Sequence, residues 1–239
     1  MSARSGETGI PPLRLSLIGV ALGVGTLFAC SGTVRAFPDP IPVLLRSGLC
    51  DTILNTERCA RAIEEHQLDQ TSRVLRTQRG LCFDGLRSCV TRDTTTEFGD
   101  ESRYYLGTLD DPSFHVLWAQ YTEGSAILLV HPSTGRRLWS DGIPVPSPSG
   151  ELVAVASADL IAGYNPNRLT ILRARGDSLV ELWSVEPEDW GPAGVRWISD
   201  ARLLVETVAL DTAGHTETEG DSLFVERADG HWQMGRDER

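Results

Sequence analysis

The chain contains no lysine: all 22 of its basic side chains are arginine, set against 33 Asp and Glu, for a formal net charge of -11. A chain this acidic repels phosphate backbones, which sets nucleic acid aside as a partner. The missing lysine reads as genome composition rather than mechanism. No Cys-x-x-Cys occurs among the 5 cysteines, and no histidine stands at ligand spacing near them, so zinc is disfavoured. Long apolar runs are absent too. Leu15 to Phe28 gives 14 residues without a charge, short of the roughly 20 that a membrane-spanning helix needs. What remains is ordinary for a soluble globular body: 239 residues, 41% hydrophobic and 23% charged, enough for one or two domains with a real core.

The run at 15–28 has the length of a signal-peptide core, behind a weakly positive start from Arg4 and Arg14 that Glu7 dilutes. An ordinary secretory site wants small residues at -1 and -3. Ala29 suits the first before Cys30, but Leu27 does not suit the second. Leu27-Phe28-Ala29-Cys30 instead resembles the lipobox of bacterial lipoproteins, with Phe28 at the less usual second place. The resemblance implies cleavage before Cys30, a diacylglyceryl thioether on its sulfur and an N-acyl chain. A plain signal peptide or an uncleaved signal anchor is the rival. A thiolate is the best nucleophile for accepting lipid. Two or three acyl chains on Cys30 hold a protein at a membrane where one chain barely does. Ser31 follows, where Asp would suggest inner-membrane retention, so in a cell with two membranes the outer one is the expected home.

Cys50, Cys59, Cys82 and Cys89 form an even set in an exported chain, which favours disulfides. Three pairings are open. Cys50–Cys59 with Cys82–Cys89 is preferred because both close short loops, each worth about 2.5 kcal/mol of chain entropy. Segment 30–48 carries Pro38, Pro40 and Pro42 and reads as a stiff spacer. Thr56 is a candidate N-cap, and Cys59, Ala60, Ile63 and Leu68 form the apolar side of the helix after it. Short strands are expected at 72–76, 80–83 and 88–91. Asp84-Gly85 between them is a hairpin signal that brings Cys82 towards Cys89.

From residue 104 the chain repeats a pattern: strand, strand, glycine turn, strand ending in Trp. Ser133-Thr134-Gly135, Arg173-Ala174-Arg175-Gly176 and Arg227-Ala228-Asp229-Gly230 mark three copies, about 40 to 54 residues apart. Ser147-Pro148-Ser149-Gly150 resembles the SPDG-type turn of bacterial β-propeller repeats. The expected fold is mainly β: blade-like antiparallel repeats, a partial or small propeller-like body, with one short N-terminal helix. A β-sandwich is the alternative. The expected organisation is a signal peptide at 1–29, a lipidated cysteine and spacer at 30–48, a disulfide-stapled helix and hairpin at 49–93, and the repeated body at 104–234.

Gly176-Asp177-Ser178-Leu179 and Gly220-Asp221-Ser222-Leu223 both read GDSL, the tetrapeptide that names a family of serine esterases. That resemblance would make Ser178 or Ser222 a nucleophile. Neither copy leads into a helix, and Asp229 and His231 depart from the family's Asp-x-x-His spacing, so turn chemistry is the preferred reading. Arg175-Gly176-Asp177 spells an adhesion tripeptide inside an expected hairpin turn. Asp211, Glu217, Glu219 and Asp221, with His215 among them, crowd one loop. They could hold calcium but match no EF-hand, so no metal and no cofactor is assigned. Trp190, in a Pro/Gly-rich loop, and Tyr164 are the speculative binding residues. The expected function is a non-enzymatic, lipid-anchored envelope protein. Its partners are the membrane, through Cys30, and an envelope protein or glycan. A GDSL-type esterase or a purely structural surface protein is the alternative.

Overall fold

The computed structural model describes residues 56–86, 89–91, 101–109, 113–122, 124–161, 163–211, 214 and 217–236. The signal segment 1–29, Cys30, the spacer 30–48 and Cys50 lie outside them. The helix, α1, runs Thr56–Gln70 with Glu57 in its first turn, where a carboxylate suits the helix dipole. Cys59, Ala60, Ile63 and Glu64 are buried and fall on one stripe of the helix. Three of these are the expected apolar side, but the fourth is a carboxylate.

A hairpin follows: β1 (Val74–Thr77) pairs with β2 (Gly80–Phe83), Val74 opposite Phe83. The expected third strand at 88–91 reduces to one antiparallel bridge between Leu81 and Val90. Asp84-Gly85 turns the chain as its sequence suggests. The Leu86 N–H reaches the Phe83 carbonyl at 3.2 Å, and Gly85 takes φ 87°, a conformation open to glycine. Cys82 and Cys89 are joined in a disulfide with Cα atoms 4.1 Å apart. Cys59 is disulfide-bonded as well; Cys50, its expected partner, is not among the described residues.

Three antiparallel sheets come next, each built in chain order. The first contains β3 (Ser102–Leu109), β4 (Phe114–Gln120), β5 (Ser125–Val130) and β6 (Arg137–Ser140). The second contains β7 (Pro144–Pro146), β8 (Leu152–Ser157), β9 (Arg168–Arg175) and β10 (Ser178–Val185). The third contains β11 (Gly191–Ser199), β12 (Arg202–Leu210), β14 (Leu223–Ala228) and β15 (His231–Arg236), with the short β13 (Glu217–Glu219) paired to the end of β12. The fold is therefore mainly antiparallel β with blade-like sheets and, among the described residues, a single helix. Each repeat holds a run of four strands rather than the three visible in the sequence, and β13 makes a fifth in the third sheet. The additional leading strands are β3, β7 and β11. β3 breaks its register between Tyr105 and Gly107 and β11 between Pro192 and Gly194, and β7 is three residues long with two prolines. Each of these features blurs the alternation that marks a strand.

The first sheet is covered on both faces. Phe114, Val116, Ile127 and Leu129 pack with Cys59 and Ile63 of α1, joined by Leu179 from the second sheet. On the other face Tyr105, Leu117, Leu128 and Val130 meet Val74, Leu81, Phe83 and Val90 of the hairpin region. Helix and hairpin thus share cores with the first sheet. The second and third sheets share a third core, in which Ala154, Leu169 and Ile171 face Val195, Leu203, Val205 and Val225. Trp183, Trp190, Trp197 and Trp232 wall it in. The Trp197 indole N–H donates to the Val145 carbonyl of the neighbouring sheet at 2.9 Å, and its ring meets Trp232 edge-on at 6.0 Å, a favourable aromatic geometry. Trp139, by contrast, is 56% exposed on β6.

β3 is an edge strand, and its open backbone groups are taken by charged side chains. Glu64, 6% exposed, accepts the Tyr105 N–H at 2.7 Å. Arg76 of β1 donates to both Glu64 carboxylate oxygens and to the Arg103 carbonyl. Donor and acceptor positions that a neighbouring strand would fill are filled by this ion pair. Removing the cation from a buried carboxylate is costly. Arg76→Met is expected to lower stability by about 3 kcal/mol. Glu64→Gln, which keeps an acceptor for Tyr105, should cost clearly less. Urea unfolding of the three proteins checks the order.

Candidate functional site

In an up-and-down sheet, alternate connections emerge at opposite ends. One end holds the tight turns, and these tie neighbouring sheets together. Gly176 (φ 60°) and Asp177 turn β9 into β10. Asp177 then accepts hydrogen bonds from Thr134 Oγ1 and Arg136 of the first sheet, each at 3.2 Å. Asp200, between β11 and β12, accepts the Ser149 N–H at 3.0 Å from the turn before β8. That backbone bond is the largest influence holding the Asp200 carboxyl below the usual carboxylate range.

These contacts account for the first GDSL copy; the second lies at the other end of the sheets. Ser178, the serine of the first GDSL, opens β10 opposite Arg175, and its hydroxyl donates to Asp177 at 3.2 Å. Ser222 sits just before β14. Its neighbours are held by two hydrogen bonds: Gly220 N–H to the Thr207 carbonyl at 2.8 Å, and the Thr207 hydroxyl to the Asp221 carbonyl at 2.5 Å. Among the described residues no histidine hydrogen-bonds either serine. The Arg-Gly-Asp tripeptide is the same β9–β10 turn, its Asp177 engaged by Thr134 and Arg136.

The opposite end carries the connections 121–124, 141–143, 158–167, 186–190 and 211–222. The loop at 158–167 is built around Asp159, whose carboxylate accepts the N–H groups of Gly163 (2.8 Å), Tyr164 (2.7 Å) and Asn165 (3.0 Å). Three charge-assisted bonds fix the loop, and it holds Tyr164 63% and Ile161 57% exposed. The Tyr164 side chain lies beside Gly124 of the first sheet. The next connection is bound to this loop, since Asn167 Nδ2 donates to the carbonyls of Pro187 (2.6 Å) and Trp190 (2.7 Å). The two speculative binding residues therefore separate. Tyr164 is presented to solvent, whereas Trp190 is half-buried against the third core. Ile161 was missed in the sequence because an isoleucine in a loop looks like a strand remnant. The carboxylate two residues before it was the available signal.

This end is acidic. Glu188, Asp189, Glu219 and Asp221 are exposed there. Arg168 pairs with Glu181 at 2.8 Å and Glu186 at 3.6 Å. Of the calcium candidates, Asp211, Glu219 and Asp221 do not gather: among the described residues no three acidic, histidine or cysteine side chains come together as a metal site. His215 and the Glu217 side chain lie outside the described set. A cavity of about 230 Å³ beside the hairpin is lined by Arg76, Arg79 and Arg103. Glu64 takes up the first of these and Glu101 the third, leaving Arg79 the only lining charge without a carboxylate on it among the described residues.

Comparison of the chain with protein-family models and with curated proteins finds no match.

Among the described residues His115 is the one strongly displaced titratable group. It lies 5% exposed on β4, stacked on Phe83 at 4.3 Å and 3.2 Å from Thr108 Oγ1. Burial first, and then the Arg73 charge, push its pKa down to about 4. The folded protein holds it neutral, while the unfolded chain takes a proton below about pH 6.5. Its contribution is therefore complete above that pH and lost as pH falls towards 4, by about 3 kcal/mol. Urea midpoints followed from pH 7 to pH 4 should drop through this window. His115→Phe, which keeps a ring against Phe83, should flatten that drop.

Proposed function

We propose that the chain is a lipid-anchored protein of the bacterial envelope, acting as a non-enzymatic interaction module outside the cytoplasm. The observation that carries the address is Leu27-Phe28-Ala29-Cys30 at the end of a short apolar run. The Cys82–Cys89 disulfide supports it, because such bonds persist in oxidising compartments. A tether of acyl chains is consistent with a body in which, among the described residues, no helix is long and apolar enough to cross a membrane. The interaction role is supported by a fixed loop that displays Ile161 and Tyr164, since exposed apolar groups on rigid scaffolds are common contact points. The serines of both GDSL copies occupy turn and strand positions, which favours a binding module over an esterase.

Mass spectrometry of the mature N-terminus tests the anchor. The expected result is a chain beginning at Cys30 with a diacylglyceryl group and an added acyl chain. Cys30→Ser should block this processing and move the body out of the detergent phase on Triton X-114 partitioning. A parent protein that begins elsewhere and carries no lipid would refute the proposal.

A further inference from the structure

We infer that the end of the body bearing the 158–167 loop docks a cationic, partly apolar polypeptide segment. This rests on the interaction-module reading and names its partner. The first observation is the presentation of Ile161 and Tyr164, which no described neighbour covers: they remain 57% and 63% exposed. Their loop is not a slack excursion, because three backbone N–H groups converge on Asp159. A fixed loop with two large apolar tips keeps the ordering cost of binding low.

The second observation is what surrounds the tips. Asn167 binds the loop to the 186–190 connection, which carries exposed Glu188 and Asp189. Gly191, which follows it, approaches Asn167 and Val208. Val208 in turn pairs with Glu219, and Asp221 is bonded to Thr207. Four exposed carboxylates thus sit on connections at the same end of the sheets as this loop. Arg168 at this end is already held by Glu181 and Glu186; Arg236, opposite Leu223 at the end of β15, is a second arginine there. The turn end differs: Arg136, Arg137, Arg173, Arg175, Arg202 and Arg227 offset its acids. An anionic membrane or a phosphate-bearing ligand would be repelled from the loop end. A chain offering arginine or lysine beside leucine or aromatic side chains fits both features.

The test uses the full mature protein and three fluorescein-labelled peptides of alternating sequence: Arg-Leu, Gln-Leu and Glu-Leu repeats, followed by anisotropy. The Arg-Leu peptide should bind at least tenfold tighter than the Gln-Leu peptide, and raising salt from about 50 to 300 mM should weaken it about tenfold. Ile161→Ser with Tyr164→Ser should weaken it at least tenfold, and Glu188→Gln with Asp189→Asn several-fold. Trp139→Ser, a change at another exposed aromatic, should leave it unaltered. Equal binding of the Gln-Leu peptide, lost in the Ile161/Tyr164 variant, would overturn the cationic partner while leaving the interaction surface in place. Arg-Leu binding indifferent to both loop variants, or no binding by any peptide, would overturn the docking site itself. So would binding of phosphatidylglycerol vesicles through Ile161 and Tyr164. The Cys30 measurement is independent of all these outcomes.

Discussion

The open edge of β3 is the constraint around which the N-terminal half is arranged. An unpaired strand edge exposes backbone donors and acceptors in a row, and a protein must cover them or risk pairing with another chain. Here the cover is ionic. Glu64 takes the Tyr105 N–H and Arg76 supplies a donor to the Arg103 carbonyl, so two side chains do what a fifth strand would otherwise do. The arrangement requires α1 and β1 to be in place together, because one supplies the anion and the other the cation. Helix, hairpin and first sheet are therefore coupled by polar contacts as well as by the apolar cores on both faces of the sheet.

The second and third sheets are held by a different balance. Their shared core is bounded by four tryptophans, and the one with a cross-sheet polar bond, Trp197, anchors the sheet spacing through Val145. Large rings filling a gap between twisted sheets contribute area and edge-to-face contact at once. At the turn end, Asp177 and Asp200 each reach back to the preceding sheet. The turn residues thus have two tasks: they reverse the chain and they fix neighbouring sheets in register.

Local signals were the legible part of this chain. The helix at 56, the Asp84-Gly85 turn and the repeated glycine turns all depend on residues a few positions apart, and the sequence reading of them matches the structure. The leading strands β7 and β11 were hidden because proline and glycine interrupt their alternation, although pairing with β8 and β12 overrides that weakness. Glu64 was legible only in part: four residues after Ala60 and four before Leu68, it falls on the apolar stripe where Glu65 does not, but its partners Arg76 and Tyr105 come from other elements. At the candidate contact surface, Tyr164 could be picked out as an aromatic in a Gly/Asn/Pro loop. Trp190 could not be separated from it, because only the packing of two sheets determines that Trp190 turns inward.

The hairpin links the chemistry of the compartment to the integrity of the fold. Val74, Leu81, Phe83 and Val90 cover a face of the first sheet that includes His115 and Tyr105, yet the hairpin has only one ladder of four pairs and one extra bridge. A two-stranded unit of that size is marginal alone. The Cys82–Cys89 bond closes its second turn and removes about 2.5 kcal/mol of chain entropy from the unfolded state by the loop-closure estimate. In a reducing compartment that help is lost and the cover over a neutral, buried imidazole loosens. In an oxidising one, the same short segment can protect the sheet and, through Arg76, complete the edge of β3. An oxidising environment is thus a condition under which this arrangement of helix, hairpin and sheet is most stable.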